Sequence, residues 1–184
     1  MTCISERTTT NLWPDSRVVA CEPDPENLSL LHTNLLGYQN VEIVEAAILA
    51  HDLAEAEFHA VVNKAGDNSG GGSCVRVEPG SKSIRVPALA MIKLWESKGI
   101  SSCDLLKLDC EGAELQILRA LADAGLLRRV ARIVGEWHAC DGRADTPERV
   151  RRALKEILET THSLVFSQPF RGKEGHFSAE VRGN

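Results

Sequence analysis

Acidic and imidazole side chains follow three short apolar segments of the chain, each with the composition of a buried β-strand. Glu22 comes directly after the first segment, Asp109 closes the second, and Glu136 and His138 follow the third. In open α/β sheets, ligands bind beside the carboxyl ends of the strands. We therefore expect these four residues to lie near one binding site.

Glu22 has the chemistry of a ribose ligand. A carboxylate can accept hydrogen bonds from two hydroxyl groups, and an acidic residue after the second strand of a nucleotide-binding sheet binds ribose in this way. Asp24 and Pro25, directly behind it, are a strong helix start because they suit the N-cap and the first helical position. The alternative is an ordinary surface glutamate that precedes a helix.

Asp109 ends the apolar run 104–109, and two more carboxylates, Glu111 and Glu114, follow it. Buried carboxylates are rare unless they are paired or functional, which favours a role for Asp109 in a site. For Glu111 and Glu114 the competing interpretation is a favourable charge at the N-terminus of the next helix.

Glu136 and His138 alternate along a strand, so they share one face of it and Trp137 lies on the other. A neighbouring carboxylate raises the basicity of an imidazole, which suits a general base near neutral pH. A purely structural histidine is the alternative. A metal site from Asp109, Glu136 and His138 is a further alternative, but no ligand spacing supports it, so we predict no metal.

The hydrophobic periodicity changes repeatedly between that of a strand and that of a helix. Helices are predicted to begin near Asp24, Ala88, Ala113 and Thr146. Two hairpins are predicted, one between 75–78 and 83–86 and one between 163–167 and 176–181. This order predicts an α/β fold with a mostly parallel sheet and an antiparallel C-terminal hairpin, built as a single domain over residues 1–184.

The bulk composition excludes several classes of protein. The 184 residues are 43% hydrophobic and 26% charged, with a formal net charge of −5, so no basic surface for nucleic acid or for a membrane is expected. The polar N-terminus has no signal-peptide core, and we expect a cytoplasmic protein. The six cysteines form no CxxC pair and no usual zinc spacing, and we expect reduced thiols.

Three segments of the chain resemble motifs of the FkbM-type methyltransferases. Residues 18–27 read VVACEPDPEN and are similar to that family's second-strand motif. Residues 104–114 read DLLKLDCEGAE and closely resemble its most recognisable motif, iDllKiDvEGaE. Residues 136–138, EWH, resemble the end of its fifth strand. The resemblance extends from about residue 1 to the C-terminus.

The resemblance implies a class I methyltransferase fold, a Rossmann-like three-layer sandwich with S-adenosyl-L-methionine as cofactor. It also implies O-methylation of a hydroxyl on a sugar or natural product, with a small molecule or glycan as acceptor. By the resemblance, Glu22 holds the cofactor ribose, and Pro23, Ala46 and Ala47 line the adenine. Asp109 lies near the methionine end or the acceptor. By the resemblance, Glu136 and His138 face the acceptor.

The chain departs from the family pattern before Glu22, where a first strand and a glycine-rich turn are expected. Met1–Ile4 resembles the helix that follows that turn, so we expect the sheet to lack its first strand. Ala88-Leu89-Ala90 also stands where the family pattern has a TLD-like stretch, so an expected acidic residue is missing. The alternative function is therefore a truncated or degenerate domain that acts at most as a binding module. A nicotinamide-binding domain is disfavoured because no GxGxxG is present.

Overall fold

The computed structural model describes residues 15–61, 71–139, 146–167 and 174–183. These ranges form a mixed α/β fold of nine strands and four helices. The strands are β1 (Val18–Cys21), β2 (Val41–Val44), β3 (Ala47–Leu49), β4 (Glu55–Ala60), β5 (Lys82–Ala90), β6 (Cys103–Leu108), β7 (Val130–His138), β8 (His162–Phe166) and β9 (Glu174–Val181). The helices are α1 (Pro25–Asn34), α2 (Met91–Ser97), α3 (Glu114–Asp123) and α4 (Pro147–Leu158).

The described strands pair in three sheets, ordered β1-β2, β3-β5-β4 and β6-β7-β9-β8. The pairs β1-β2, β3-β5 and β6-β7 are parallel, whereas β4-β5, β7-β9 and β8-β9 are antiparallel. The sheets are thus mixed rather than mostly parallel. The C-terminal antiparallel hairpin is confirmed, and its second strand also pairs with β7. The helix expected at Met1–Ile4 lies outside the described residues.

Two predicted helix starts are confirmed by their caps. The side chain of Asp24 accepts a hydrogen bond from the Glu26 amide at 2.9 Å, and Pro25 is the first residue of α1. Thr146 caps α4 in the same way, with Pro147 behind it. A capping side chain satisfies one of the amides that the first helical turn leaves without an intrahelical partner.

The prediction between residues 75 and 98 was wrong in two respects. Segment 75–78 is not a strand, because Ser73 Oγ accepts the amides of Val75 and Arg76 at 3.0 and 2.8 Å. The long strand β5 pairs with β4 instead. The helix expected from Ala88 begins at Met91, since the residues before it pair with β3. Tertiary pairing here overrides the local periodicity.

The largest core lies around β6, α3, β7 and α4. Leu108, Ile117, Ile133 and Leu154 are fully buried in it. Each such side chain contributes about 1.5–3 kcal/mol when it leaves water. The core therefore holds the carboxyl ends of β6 and β7 against the start of α3. Among the described residues no helix is both long and apolar enough to cross a membrane.

His162 is a fully buried polar residue at the start of β8, next to the start of β7. Its Nε2 lies 2.9 Å from the Val130 carbonyl oxygen, and its Nδ1 lies 2.7 Å from Thr161 Oγ1. A carbonyl can only accept, so Nε2 carries the hydrogen. Burial lowers the pKa of His162 below 6.5 and favours the neutral ring.

We predict that His162→Gln makes the fold less sensitive to acid. The neutral form stabilises the fold above the unfolded pKa of 6.5, and this contribution is lost as the pH falls through the lower folded pKa. Glutamine can donate to the same carbonyl but does not titrate. Urea unfolding at about pH 7.5 and about pH 5 measures the effect. The wild type should lose more unfolding free energy than the variant, and equal losses would contradict the prediction.

Candidate active site

The turn between β6 and α3 has an unusual backbone. Glu111 has φ 50° and Gly112 has φ 112°, and Glu111 is the one non-glycine residue with positive φ among the described ranges. Glycine adopts this region freely, whereas a residue with a side chain rarely does. The hydroxyl of Ser73 donates to the Glu111 carbonyl at 2.7 Å and holds the turn from a neighbouring segment.

Glu114 is the first residue of α3, as the sequence predicted, but it is not a surface charge. Only 2% of its side chain is exposed. Its Oε1 accepts from the Cys110 amide at 2.7 Å, and the Gly112 amide lies 3.1 and 3.2 Å from its two oxygens. Burial opposes ionisation, but the hydrogen bonds from His138 and the backbone outweigh it and lower the pKa of Glu114. The carboxylate is therefore ionised inside the protein.

His138 ends β7 with 1% of its side chain exposed, and carboxylates face both ring nitrogens. Nδ1 lies 3.0 Å from Glu114 Oε1, and Nε2 lies 3.4 Å from Glu111 Oε2. Glu136, the expected partner, is the most distant, with 3.9 Å from its Oε2 to Nε2. Burial lowers the pKa of His138, but the carboxylates of Glu114, Glu111 and Asp109 raise it by more than burial lowers it. The pKa of His138 is therefore raised above 6.5.

Two cations balance the carboxylates of the turn. The Arg76 guanidinium lies 2.8 Å from Glu111 Oε2, and Lys107 Nζ lies 3.4 Å from Asp109 Oδ2. Atoms of Asp109, Glu111 and His138 that could bind a metal all lie within 4.8 Å of one another. Because the two basic side chains already offset part of the charge of these carboxylates, we keep the prediction of no metal. It stays a prediction.

A cavity beside the turn brings the predicted cofactor residues together. Its lining includes Glu22, Pro23, Ala46, Ala47 and Asp109. Its lining also includes Phe58, Gly72, Cys110 and Glu111. Glu22 is half-buried, its Oε1 accepts the Asp24 amide at 2.8 Å, and burial raises its pKa. Three sequence-distant segments therefore meet at one opening. A separate cavity between α2 and the end of α3 contains none of the predicted residues.

The other two predicted residues, Glu136 and His138, are not among the residues that line this cavity. His138 Nε2 lies 3.4 Å from Oε2 of the lining residue Glu111, and Glu136 Oε1 lies 3.4 Å from His176 Nδ1 on β9. The sequence did not predict the pairing of Glu114 with His138, or any role for Ser73 and Arg76. The motif spacing could have suggested Glu114. Nothing in the local sequence marks Ser73 or Arg76, because their partner lies more than thirty positions away.

We predict that Ser73→Ala destabilises the protein by about 1–3 kcal/mol, the cost of leaving buried polar groups unpaired. Its hydroxyl donates a hydrogen bond to the Glu111 carbonyl and accepts hydrogen bonds from the amides of Val75 and Arg76, and the residue is buried. Urea unfolding followed by tryptophan fluorescence measures the change. Ser101→Ala, at an exposed position, is the matched control and should change stability by less than about 0.5 kcal/mol. Equal effects of the two variants would refute the role of Ser73.

Comparison with known proteins agrees with the geometry. Residues 3–164 of the 184 match the methyltransferase FkbM domain. No curated protein sequence matches the chain significantly. The match covers most of the chain, including the β6–α3 turn, the cavity residues and the end of β7. The chain therefore belongs to the FkbM methyltransferase family.

Proposed function

We propose that this chain is an S-adenosyl-L-methionine-dependent O-methyltransferase that acts on a hydroxyl of a small molecule or a glycan. One observation carries the proposal: a single cavity is lined by Glu22, Pro23, Ala46, Ala47 and Asp109, and another lining residue, Glu111, lies 3.4 Å from the buried His138. Family membership supports methyl transfer in general. The hydroxyl acceptor is the expectation that the motif resemblance implies.

The lining of the cavity suits a nucleoside that carries a cation. Glu22 offers carboxylate oxygens to ribose hydroxyls. Pro23, Ala46 and Ala47 offer small apolar contacts to a purine. Asp109 and Glu111 are anionic groups near the place where the sulfonium and amine of the cofactor would lie. Opposite charges attract strongly in a partly buried site, so this end favours a cationic group over a phosphate.

The site can supply a base for the methyl transfer. When bound, the cofactor would supply its methyl group to the acceptor oxygen, and the electron pair of the broken C–S bond would remain on sulfur. The hydroxyl proton leaves to His138 or Asp109. Because the sulfonium is already a good leaving group, most of the acceleration comes from holding oxygen, carbon and sulfur in line. The products are a methyl ether and S-adenosylhomocysteine.

We also infer that two of the described sheets belong to one class I sheet, in the order β2-β1 and then β6-β7-β9-β8. Cys21 at the end of β1 and Leu108 at the end of β6 share the largest core, which supports this arrangement. In a class I sheet one further strand stands between the counterparts of β1 and β6. Within the described ranges, no strand pairs with the second edge of either.

Calorimetric titration with S-adenosyl-L-methionine tests the cofactor assignment and separates it from the alternative of a degenerate binding domain. The titration uses the 184-residue chain and any longer chain that the same reading frame encodes. Binding together with methyl transfer supports an enzyme. Binding without transfer to any hydroxyl acceptor favours the degenerate domain. A failure of every such chain to bind would refute the methyltransferase proposal.

Glu22→Gln should weaken cofactor binding by about 10- to 100-fold, since a hydrogen bond to a charged group contributes about 1.5–3 kcal/mol. Calorimetry measures the dissociation constant. Glu26→Gln, an exposed glutamate in the first turn of α1, is the matched control and should bind like the wild type. Equal affinities for Glu22→Gln and wild type would remove Glu22 from the ribose site.

His138→Ala should lower kcat by about 10²- to 10⁴-fold, the usual contribution of a general base, and should change cofactor affinity far less. Partial recovery of turnover with added imidazole would support the assignment. His51→Ala, an exposed histidine outside the site, is the control. Unchanged turnover in His138→Ala would exclude His138 as the base.

A further inference from the structure

The carboxylate of Glu114 is held on three sides inside the protein. The amides of Cys110 and Gly112 fix it from the turn, and His138 Nδ1 approaches it at 3.0 Å. Glu114 and His138 are both absent from the cavity lining, with 2% and 1% of their side chains exposed. The second ring nitrogen of His138, Nε2, faces the carboxylate of Glu111, which does line the cavity. We therefore expect Glu114 to influence chemistry at the cavity through the imidazole.

We propose that Glu114 is a positioning residue that fixes the tautomer of His138, so that Nε2 is the atom that takes the proton of the acceptor. This inference rests on the proposed methyl transfer. An ionised carboxylate only accepts hydrogen bonds, so Nδ1 carries a hydrogen. In the neutral ring the lone pair is then on Nε2. A base that a third group orients in this way is a recurring arrangement in catalytic sites.

Nε2 is the ring nitrogen of His138 that faces a residue of the cavity lining. Nε2 points toward Glu111, whose side chain lies 3.4 Å away and which lines the cavity. Nδ1 points toward Glu114, which is not a lining residue. A neutral ring with its hydrogen on Nε2 would present a donor to the acceptor oxygen and a lone pair to an anionic carboxylate. That tautomer could not remove the proton of the hydroxyl.

Charged groups face His138 from every element packed around it. Glu114 comes from α3, Glu111 and Asp109 come from the turn, and Glu136 comes from β7 itself. Arg76 and Lys107 neutralise part of the turn, and His176 contacts Glu136. The carboxylates outnumber these cations, so without a substrate the imidazolium is favoured, with its second hydrogen on Nε2 toward Glu111.

Catalysis then has a defined proton balance. His138 first releases the Nε2 hydrogen by way of the Glu111 carboxylate, which faces Nε2 and lines the cavity, and the acceptor hydroxyl then replaces the contact with Glu111. As the oxygen bonds to the methyl carbon, its proton passes to Nε2 and the C–S electron pair returns to sulfur. The ring becomes an imidazolium again, stabilised by Glu114. The rate should therefore rise with pH through the pKa of His138.

Nitrogen-15 NMR of histidine-labelled protein tests the tautomer without any turnover. His138→Ala identifies the signal of His138 by its loss. Above its pKa, wild-type His138 should show a protonated Nδ1 and an unprotonated Nε2. Glu114 Oε1 also accepts the Cys110 amide, so a glutamine would keep an oxygen toward Nδ1, and the informative variant is Glu114→Leu. In Glu114→Leu no acceptor faces Nδ1 and Glu111 still faces Nε2, so the hydrogen of the neutral ring should move to Nε2 and the pKa should fall. In Glu111→Gln, the matched control, the hydrogen should stay on Nδ1.

Kinetics then tests the consequence of the tautomer. Glu114→Leu should lower kcat by about 10²-fold or more and move the pH profile to lower pH, with the dissociation constant for S-adenosyl-L-methionine unchanged. A neutral wild-type ring with its hydrogen on Nε2 would overturn the proposal even if Glu114→Leu did not fold. So would a folded Glu114→Leu with the wild-type tautomer and profile. The expected tautomer without methyl transfer by the wild type would refute the proposed function and leave the positioning intact.

Discussion

An ionised carboxylate inside the protein, that of Glu114, sets the geometry of the candidate active site. A buried charge is tolerated only when hydrogen bonds and an opposite charge compensate for lost water. The turn supplies two amides, and β7 supplies the imidazole of His138. Loss of one partner of such a buried pair costs about 3–5 kcal/mol. The turn, the start of α3 and the end of β7 are therefore energetically linked.

The parallel pairing of β6 with β7 brings these groups together. Leu108 lies opposite Gly135, so the residues after each of them are neighbours at the same edge of the sheet. A Cβ atom at Gly135 would stand 2.4 Å from the Leu108 carbonyl oxygen and about 3 Å from the Phe177 ring. Glycine at this position allows the close approach, and the buried core below keeps the two strand ends in register.

The charges of the site divide into two parts that share Glu111. On the cavity side, Glu22, Asp109 and Glu111 form an anionic lining around small apolar residues. On the buried side, Glu114 and His138 form a compensated pair. Glu111 is held between the two parts by a neighbouring segment. Ser73 donates to the carbonyl of Glu111, and Arg76 donates to its carboxylate. This arrangement places the imidazole of His138 beside a residue of the cavity lining while 1% of its side chain is exposed.

Local sequence was sufficient for features whose causes lie within a few residues. The caps at Asp24 and Thr146 were predictable because the capping atoms and the amides are close along the chain. The polar ends of β1, β6 and β7 were predictable because an apolar run that stops at a carboxylate marks a strand end. The family motif at residues 104–114 also needed no structure, and it named the turn that organises the site.

Tertiary structure alone decided which of these groups touch. His138 is paired mainly with Glu114 from another element, and the sequence neighbour Glu136 is the more distant carboxylate. The β5 strand pairs with β3 and β4, although its local pattern favoured a hairpin with the segment before it. The roles of Ser73 and Arg76 depend on contacts across more than thirty residues. Sequence determines which groups are available and roughly where each strand or helix ends, whereas long-range packing determines the distances on which their chemistry depends.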